Sequence, residues 1–188
     1  MRLLIFLNTL VFLVRADSVI AQDSIPLNRN FVSPNGRYSI HLSERDATQY
    51  FIIKDNETGQ VDDSICMPTV LLLLCWAADS HAVITIEHIA GGSFARILFQ
   101  HDKSWTAREY EPPGESRMNF SVTKLTMKSN QIYIKYVIRT LRDNGYPSGY
   151  QIYAFDVNLN TGERINEKWS SITEADFLRE VGKNPHCP

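Results

Sequence analysis

Apolar and polar positions alternate along most of the chain. Tyr38, Ile40 and Leu42 fall on one face, with Ser39 and His41 between them. That is the period of two expected of a strand with one buried side. Tyr50-Phe51-Ile52-Ile53 is continuously apolar and predicts a central strand. Val70 to Trp76 is an unbroken apolar run and predicts a strand buried on both faces. Ala82 to Ile86, Phe94 to Phe99, Gln131 to Ile138 and Tyr150 to Val157 continue the pattern, and a last short strand ends around Trp169. In Gln131 to Ile138, residues Ile132, Ile134, Tyr136 and Ile138 share one face, while Tyr133, Lys135 and Val137 share the other.

Polar turns divide these strands into units at about 31–65, 70–110 and 120–169. Each unit has an opening turn: Ser33-Pro34-Asn35-Gly36-Arg37-Tyr38, Ala77-Ala78-Asp79-Ser80-His81-Ala82 and Met127-Lys128-Ser129-Asn130-Gln131-Ile132. The spacing is roughly 45 to 50 residues, near the period of four-stranded blades. A trailing turn, Asp55-Asn56-Glu57-Thr58-Gly59, returns as Asn158-Leu159-Asn160-Thr161-Gly162. The segment Glu111-Pro112-Pro113-Gly114-Glu115 breaks the pattern as an internal loop. The last element is a helix over 173–181. Thr173 is its N-cap with Asp176 three residues on, Ile172 and Phe177 are placed as a staple, and Gly182 is positioned for a left-handed stop. Phe177, Leu178 and Val181 form its apolar face. The expected fold is therefore mainly β: three tandem antiparallel β-meanders in one compact domain, 22–188, with a short C-terminal helix.

The beginning of the chain changes the picture of where that domain works. Met1-Arg2 precedes an apolar run from Leu3 to Val14, then a polar stretch to Ser18 and Val19-Ile20-Ala21. This is the pattern of a cleaved signal peptide, 1–21, too short to span a bilayer as a helix. Ala16 and Ser18 are alternative cleavage points. The expectation is a secreted or periplasmic protein with no membrane span after cleavage. Loss of two bases and one acid with that segment takes the formal charge from −2 to −3. An acidic chain without a basic block excludes nucleic acid as a partner, because phosphates require clustered Lys and Arg.

The opening Ser33-Pro34-Asn35-Gly36-Arg37 turn, and Phe155-Asp156-Val157 before Asn160-Thr161-Gly162, resemble blades of exported TolB and WD40-like β-propellers. Blades of that kind open on Ser-Pro-Asp-Gly-Lys and carry an Asp-x-x-Thr-Gly hairpin. The resemblance implies a propeller-like arrangement, but a closed ring takes four to eight blades and the sequence holds three. The units then stack as one twisted sheet, fold as a sandwich or open barrel, or complete a ring by homo-oligomerising.

Cys66, Cys75 and Cys187 all follow the export segment, so pairing is the expectation in an oxidising compartment. A Cys66–Cys75 disulfide across the turn at Met67-Pro68 is the first choice. A bridge from Cys187 to either is the alternative, and a buried, unpaired Cys75 is the third.

Candidate chemistry is sparse. Glu87-His88 and His101-Asp102 flank the Gly91–Phe99 hairpin and offer ligand types suited to zinc, although exposed turn residues are the simpler reading. Asp79-Ser80-His81 has the residue types of a hydrolase triad, but neighbours on a turn cannot converge as a triad must. Tyr146 and Tyr150, with Arg139 and Arg142 upstream, form a loop that presents rings and guanidinium groups to a partner; tyrosines lying over the neighbouring sheet are the structural alternative. Trp76, Trp105 and Trp169 read as packing residues. Asn56-Glu57-Thr58 and Asn119-Phe120-Ser121 are glycosylation sequons, relevant in a eukaryotic secretory pathway.

These features point to an exported, non-enzymatic β-domain that binds a protein or glycan or has a structural role, with no cofactor. The alternatives are a small metal-dependent hydrolase using His88 and His101, and an inhibitor-type protein acting through its loops.

Overall fold

The computed structural model describes residues 29–46, 48–67, 70–89, 92–102, 104–114, 118–128, 130–183 and 185–187. The expected signal segment 1–21 lies outside them, as do Pro68, Gly91, Lys103, Glu115 and Ser129.

The described residues are mainly strand, with one short helix near the C-terminus. β1 (Asn30–Val32), β2 (Tyr38–Arg45), β3 (Thr48–Asp55) and β4 (Val61–Met67) form a four-stranded sheet in that order. β5 (Val70–Trp76), β6 (Ala82–Ile89), β7 (Gly92–His101) and β8 (Ser104–Tyr110) pair antiparallel in sequence. So do β9 (Met118–Lys128), β10 (Gln131–Leu141), β11 (Pro147–Asn158) and β12 (Arg164–Ser171). A single parallel bridge, Gly92 to Phe120, joins these two sets into one eight-stranded sheet. Gly92 suits that junction because its φ is +141° and a Cβ there would lie 1.6 Å from the Phe120 carbonyl oxygen. A side chain has no room.

Two of the three opening turns, and both trailing turns, repeat in geometry as well as in sequence. In the first opening turn, Ser33 N–H donates to Tyr38 O at 2.8 Å and Gly36 N–H to Ser33 O at 2.8 Å. In the second, Ala77 N–H donates to Ala82 O at 2.9 Å and Ser80 N–H to Ala77 O at 2.9 Å. Gly36 and Ser80, the equivalent positions, both have positive φ. The two turns also touch, through Asn35 N–H and Ser80 Oγ at 3.2 Å. The trailing turns match in the same way: Gly59 N–H donates to Asp55 O at 2.8 Å, and Gly162 N–H to Asn158 O at 2.7 Å. The third opening turn departs from the pattern, because Lys128 pairs directly with Gln131 in a tight hairpin.

Face-to-face packing sets the layers. Tyr38, Ile40, Leu42, Phe51 and Ile53 of the first sheet pack on Leu71, Leu74, Val83, Leu98 and Trp105. The opposite side of the β5–β8 set, with Ile84, Ile86, Ile97 and Phe99, packs on Ile132, Ile134, Tyr136, Ile138, Tyr153 and Phe155. β6 and β7 are thus buried on both faces over most of their length. The expectation of two-sided burial had fallen on Val70–Trp76. That strand is β5, and it does reach both cores: Leu71 and Leu74 pack in the cluster shared with the first sheet, Leu72 and Leu73 pack against the other, and Val70 at its start is exposed.

Helix α1 (Glu174–Val181) lies against β9, β10 and β11. Thr173 caps it, its Oγ1 accepting from Asp176 N–H at 3.2 Å. Phe177 is buried against the Tyr150 ring, with centroids 4.9 Å apart, and Lys135 pairs with Glu180. Two helix expectations are corrected. Gly182 has φ −74°, so the helix ends in a right-handed conformation. Leu178 and Val181 are exposed, because one turn of contact seats only the Phe177 side of so short a helix.

Candidate functional site

The β10–β11 connection holds the aromatic and basic cluster read from the sequence. Arg142 N–H donates to Tyr146 O at 2.8 Å and Gly145 N–H to Arg142 O at 2.9 Å, which closes the tip. Asn144 Oδ1 accepts from Tyr146 N–H at 3.2 Å and stiffens it further. Tyr146 is 69% exposed, the most exposed large hydrophobic side chain among the described residues. Arg142 beside it is also exposed. Arg139 and Tyr150 are cross-strand partners lower on the hairpin. The Tyr150 hydroxyl donates to Glu174 Oε1 at 2.9 Å, and burial raises its pKa above the usual phenol value. The four residues therefore divide. Tyr146 and Arg142 form a free tip, and Tyr150 belongs to the seat of α1.

The residues considered for metal binding do not assemble. Pairing sets His88 opposite Ser93 and His101 opposite Ser104. Eight residues of β7 separate those rungs, about 25 Å at strand rise. Glu87 is fully buried and pairs with Arg96 at 3.3 Å, whereas His88, the next residue, is exposed. Alternation along β6 sends neighbours to opposite faces, which breaks up the cluster. No group of three or more metal-ligating side chains occurs among the described residues. Ser80 is almost fully buried, and its hydroxyl is spent on Asn35.

The cysteines pair as the second choice had it. Cys75 and Cys187 are bridged, with Cα atoms 5.5 Å apart, and Cys66 is an exposed free thiol. The Cys66–Cys75 pairing is therefore corrected: Cys66 lies in the first sheet, on β4, and Cys75 faces the C-terminal tail. That tail, Pro185 to Cys187, runs along Thr123–Thr126 of β9. Asn56 sits in its exposed turn, where its Nδ2 donates to Gly36 O at 2.9 Å, and Asn119 is half-buried on β9.

A polar row within the layers escaped the sequence reading. Thr85, Arg96 and Glu109 stand opposite one another on β6, β7 and β8. Arg96 reaches Glu109 at 2.7 Å, Glu87 at 3.3 Å and the Cys66 carbonyl at 3.3 Å. Thr85 Oγ1 donates to Glu87 Oε1 at 2.7 Å. Beside the row opens a cleft of about 460 Å³ lined by Ile65, Cys66, Arg96, Ala107 and Glu109. The signal was present in the sequence: Arg96 falls between Phe94 and Leu98, and Glu87 follows Val83 and Thr85, on the alternating face of each strand that points inward.

No protein-family model matches the chain, and no curated protein is similar to it in sequence. Weak, partial similarity to solved structures is found. Hydrazine synthase of Kuenenia stuttgartiensis is 11% identical over 76% of this chain and 57% of that one, with a TM-score of 0.37. TolB of Acinetobacter baumannii is 11% identical over 74% and 31% of the two chains, at 0.37. The periplasmic gluconolactonase of Pseudomonas aeruginosa is 10% identical over 78% and 53%, at 0.35. The chain spans less than two thirds of the length of each.

Proposed function

We propose that this chain is an exported, non-enzymatic β-domain that binds a protein or glycan through the tip of the β10–β11 hairpin. One observation carries the reading: Tyr146 is held 69% exposed on a tip closed by its own backbone hydrogen bonds. A rigid ring beside a guanidinium offers contact area at small entropic cost, which is what recognition surfaces use. The three four-stranded sets are read as blade-like units stacked without closing a ring, supported by the shared turn geometry at Ser33 and Ala77 and at Asp55 and Asn158. Export rests on the pattern of residues 1–21. An inhibitor-type protein would use the same tip against an enzyme.

Capture from the medium or envelope fraction of the source cells tests the reading, with the wild-type chain and Tyr146→Ala immobilised side by side. The expected result is a partner retained by the wild type and reduced at least tenfold by Tyr146→Ala, with the unfolding midpoint of the two chains equal. Equal retention by both would reject the tip as the binding surface.

A further inference from the structure

The cleft between the first and middle layers lies at the margin of two sheets. Among the described residues β4 is the last strand of its sheet and β8 pairs only with β7, so each has an edge without a ladder partner, and the two strands lie close together. Arg96 lines the cleft and is 4% exposed, and its Nε has no hydrogen-bond partner. Its strongest contact, Glu109, comes from the edge strand and has a side chain 54% exposed. Glu87 on the other side is fully buried and braced by Thr85. The guanidinium thus has one permanent carboxylate and one that solvent reaches. Exchanging Glu109 for an incoming carboxylate leaves the charge of the cluster unchanged, so it incurs no new unpaired buried ion.

We propose that this cleft binds a peptide carboxylate, which takes the place of Glu109 on Arg96. The planar fork of Arg matches a carboxylate in two parallel hydrogen bonds, and the free Nε supplies a donor that Glu109 leaves unused. The cleft is open towards solvent, so an extended segment can lie along it without the strands separating. The open edges of β4 and β8 suit an extended chain, whose main-chain groups add to a strand edge. Ile65 and Ala107 give the walls an apolar lining. Glu109 then acts as a resident stand-in for the ligand. The site is independent of the hairpin tip.

Calorimetric titration with three capped tripeptides tests this: acetyl-Ala-Ala-Ala with a free C-terminal carboxylate, acetyl-Ala-Asp-Ala-amide, and acetyl-Ala-Ala-Ala-amide. At least one carboxylate peptide is expected to bind tenfold more tightly than the neutral amide, and the better of the two shows whether a terminal or a side-chain carboxylate is preferred. Glu109→Gln removes the competitor and tightens that peptide at least fivefold, whereas Ala107→Trp fills the cleft and abolishes binding without touching a charge. Circular dichroism confirms that both variants are folded. Equal binding of acid and amide peptides, no binding to Glu109→Gln, or full binding to folded Ala107→Trp would overturn the proposal.

Discussion

Tyr136 brings a hydroxyl into the centre of the interface between the middle and third layers. The hydroxyl accepts from Ala95 N–H at 2.8 Å and donates to the Tyr110 carbonyl. Phe at this position keeps the ring but leaves a buried N–H and a buried carbonyl without that partner. Tyr136→Phe is therefore expected to lower stability by about 1–3 kcal/mol, read by denaturant unfolding. The same tyrosines predict alkaline sensitivity. Burial pushes Tyr110 and Tyr153 up to about 12 and raises Tyr136 as well. Unfolded tyrosine ionises near 10, so above that pH the unfolded state loses protons that the folded state keeps. Stability is fully present below pH 10 and declines as pH rises through the folded values. Tyr136→Phe should show a shallower decline. The inward face of Tyr136 was legible from its alternation with Ile134 and Ile138. Its partner at Ala95, 41 residues away, was not, because period two gives a face and no address across layers. Arg96 and Glu87 show the same limit from the polar side.

At the scale of elements, turn chemistry is local and reads well. Asp55 Oδ1 accepts from the N–H groups of Glu57 and Thr58 at 2.8 and 3.1 Å, and Oδ2 faces Arg37 Nε at 3.4 Å. The Thr58 N–H is the main reason the carboxyl lies below its ordinary value; burial opposes it, and Glu57 N–H and Arg37 add to the lowering. A depressed pKa gives stability that is present above the unfolded value, near 3.8, and is lost as pH falls through the folded one. Asp55→Asn retains an acceptor but not the charge. Its unfolding midpoint should therefore fall less steeply than the wild type's below about pH 4, as thermal melts over an acid series would show. The N-cap of α1 was legible for the same reason, since Thr173 and Asp176 lie within one turn. The packing of α1 was not. Leu178 and Val181 share helical spacing with Phe177, yet how far the sheet extends beneath them decides which are covered.

For the whole molecule, the strands between the two core clusters must be apolar on both faces. The unbroken run Val70–Trp76 marked one of them, β5, whereas the fuller burial of β6 and β7 depends on strands distant in the chain and was not read. The cysteine pairing was equally non-local. Cys75 and Cys187 are 112 residues apart, and nearness in sequence favoured Cys66. Closing a loop of that length restricts the unfolded chain strongly, so Cys187→Ser is expected to lower stability by about 2–5 kcal/mol, measured by denaturant unfolding under non-reducing conditions.

That bridge also divides the chain into two unequal parts. Everything from β6 to α1 lies inside a covalent ring, and β1 to β4 lie on a tether outside it. The first sheet is held to the rest by its single apolar face and a few polar contacts, such as Asn35 with Ser80 and Arg96 with the Cys66 carbonyl. The bridge therefore restrains the chain from β6 to α1 and leaves the first sheet to be held by those contacts alone. The sheet that supplies Ile65 and Cys66 to the Arg96 cleft is thus the one the bridge does not tie down.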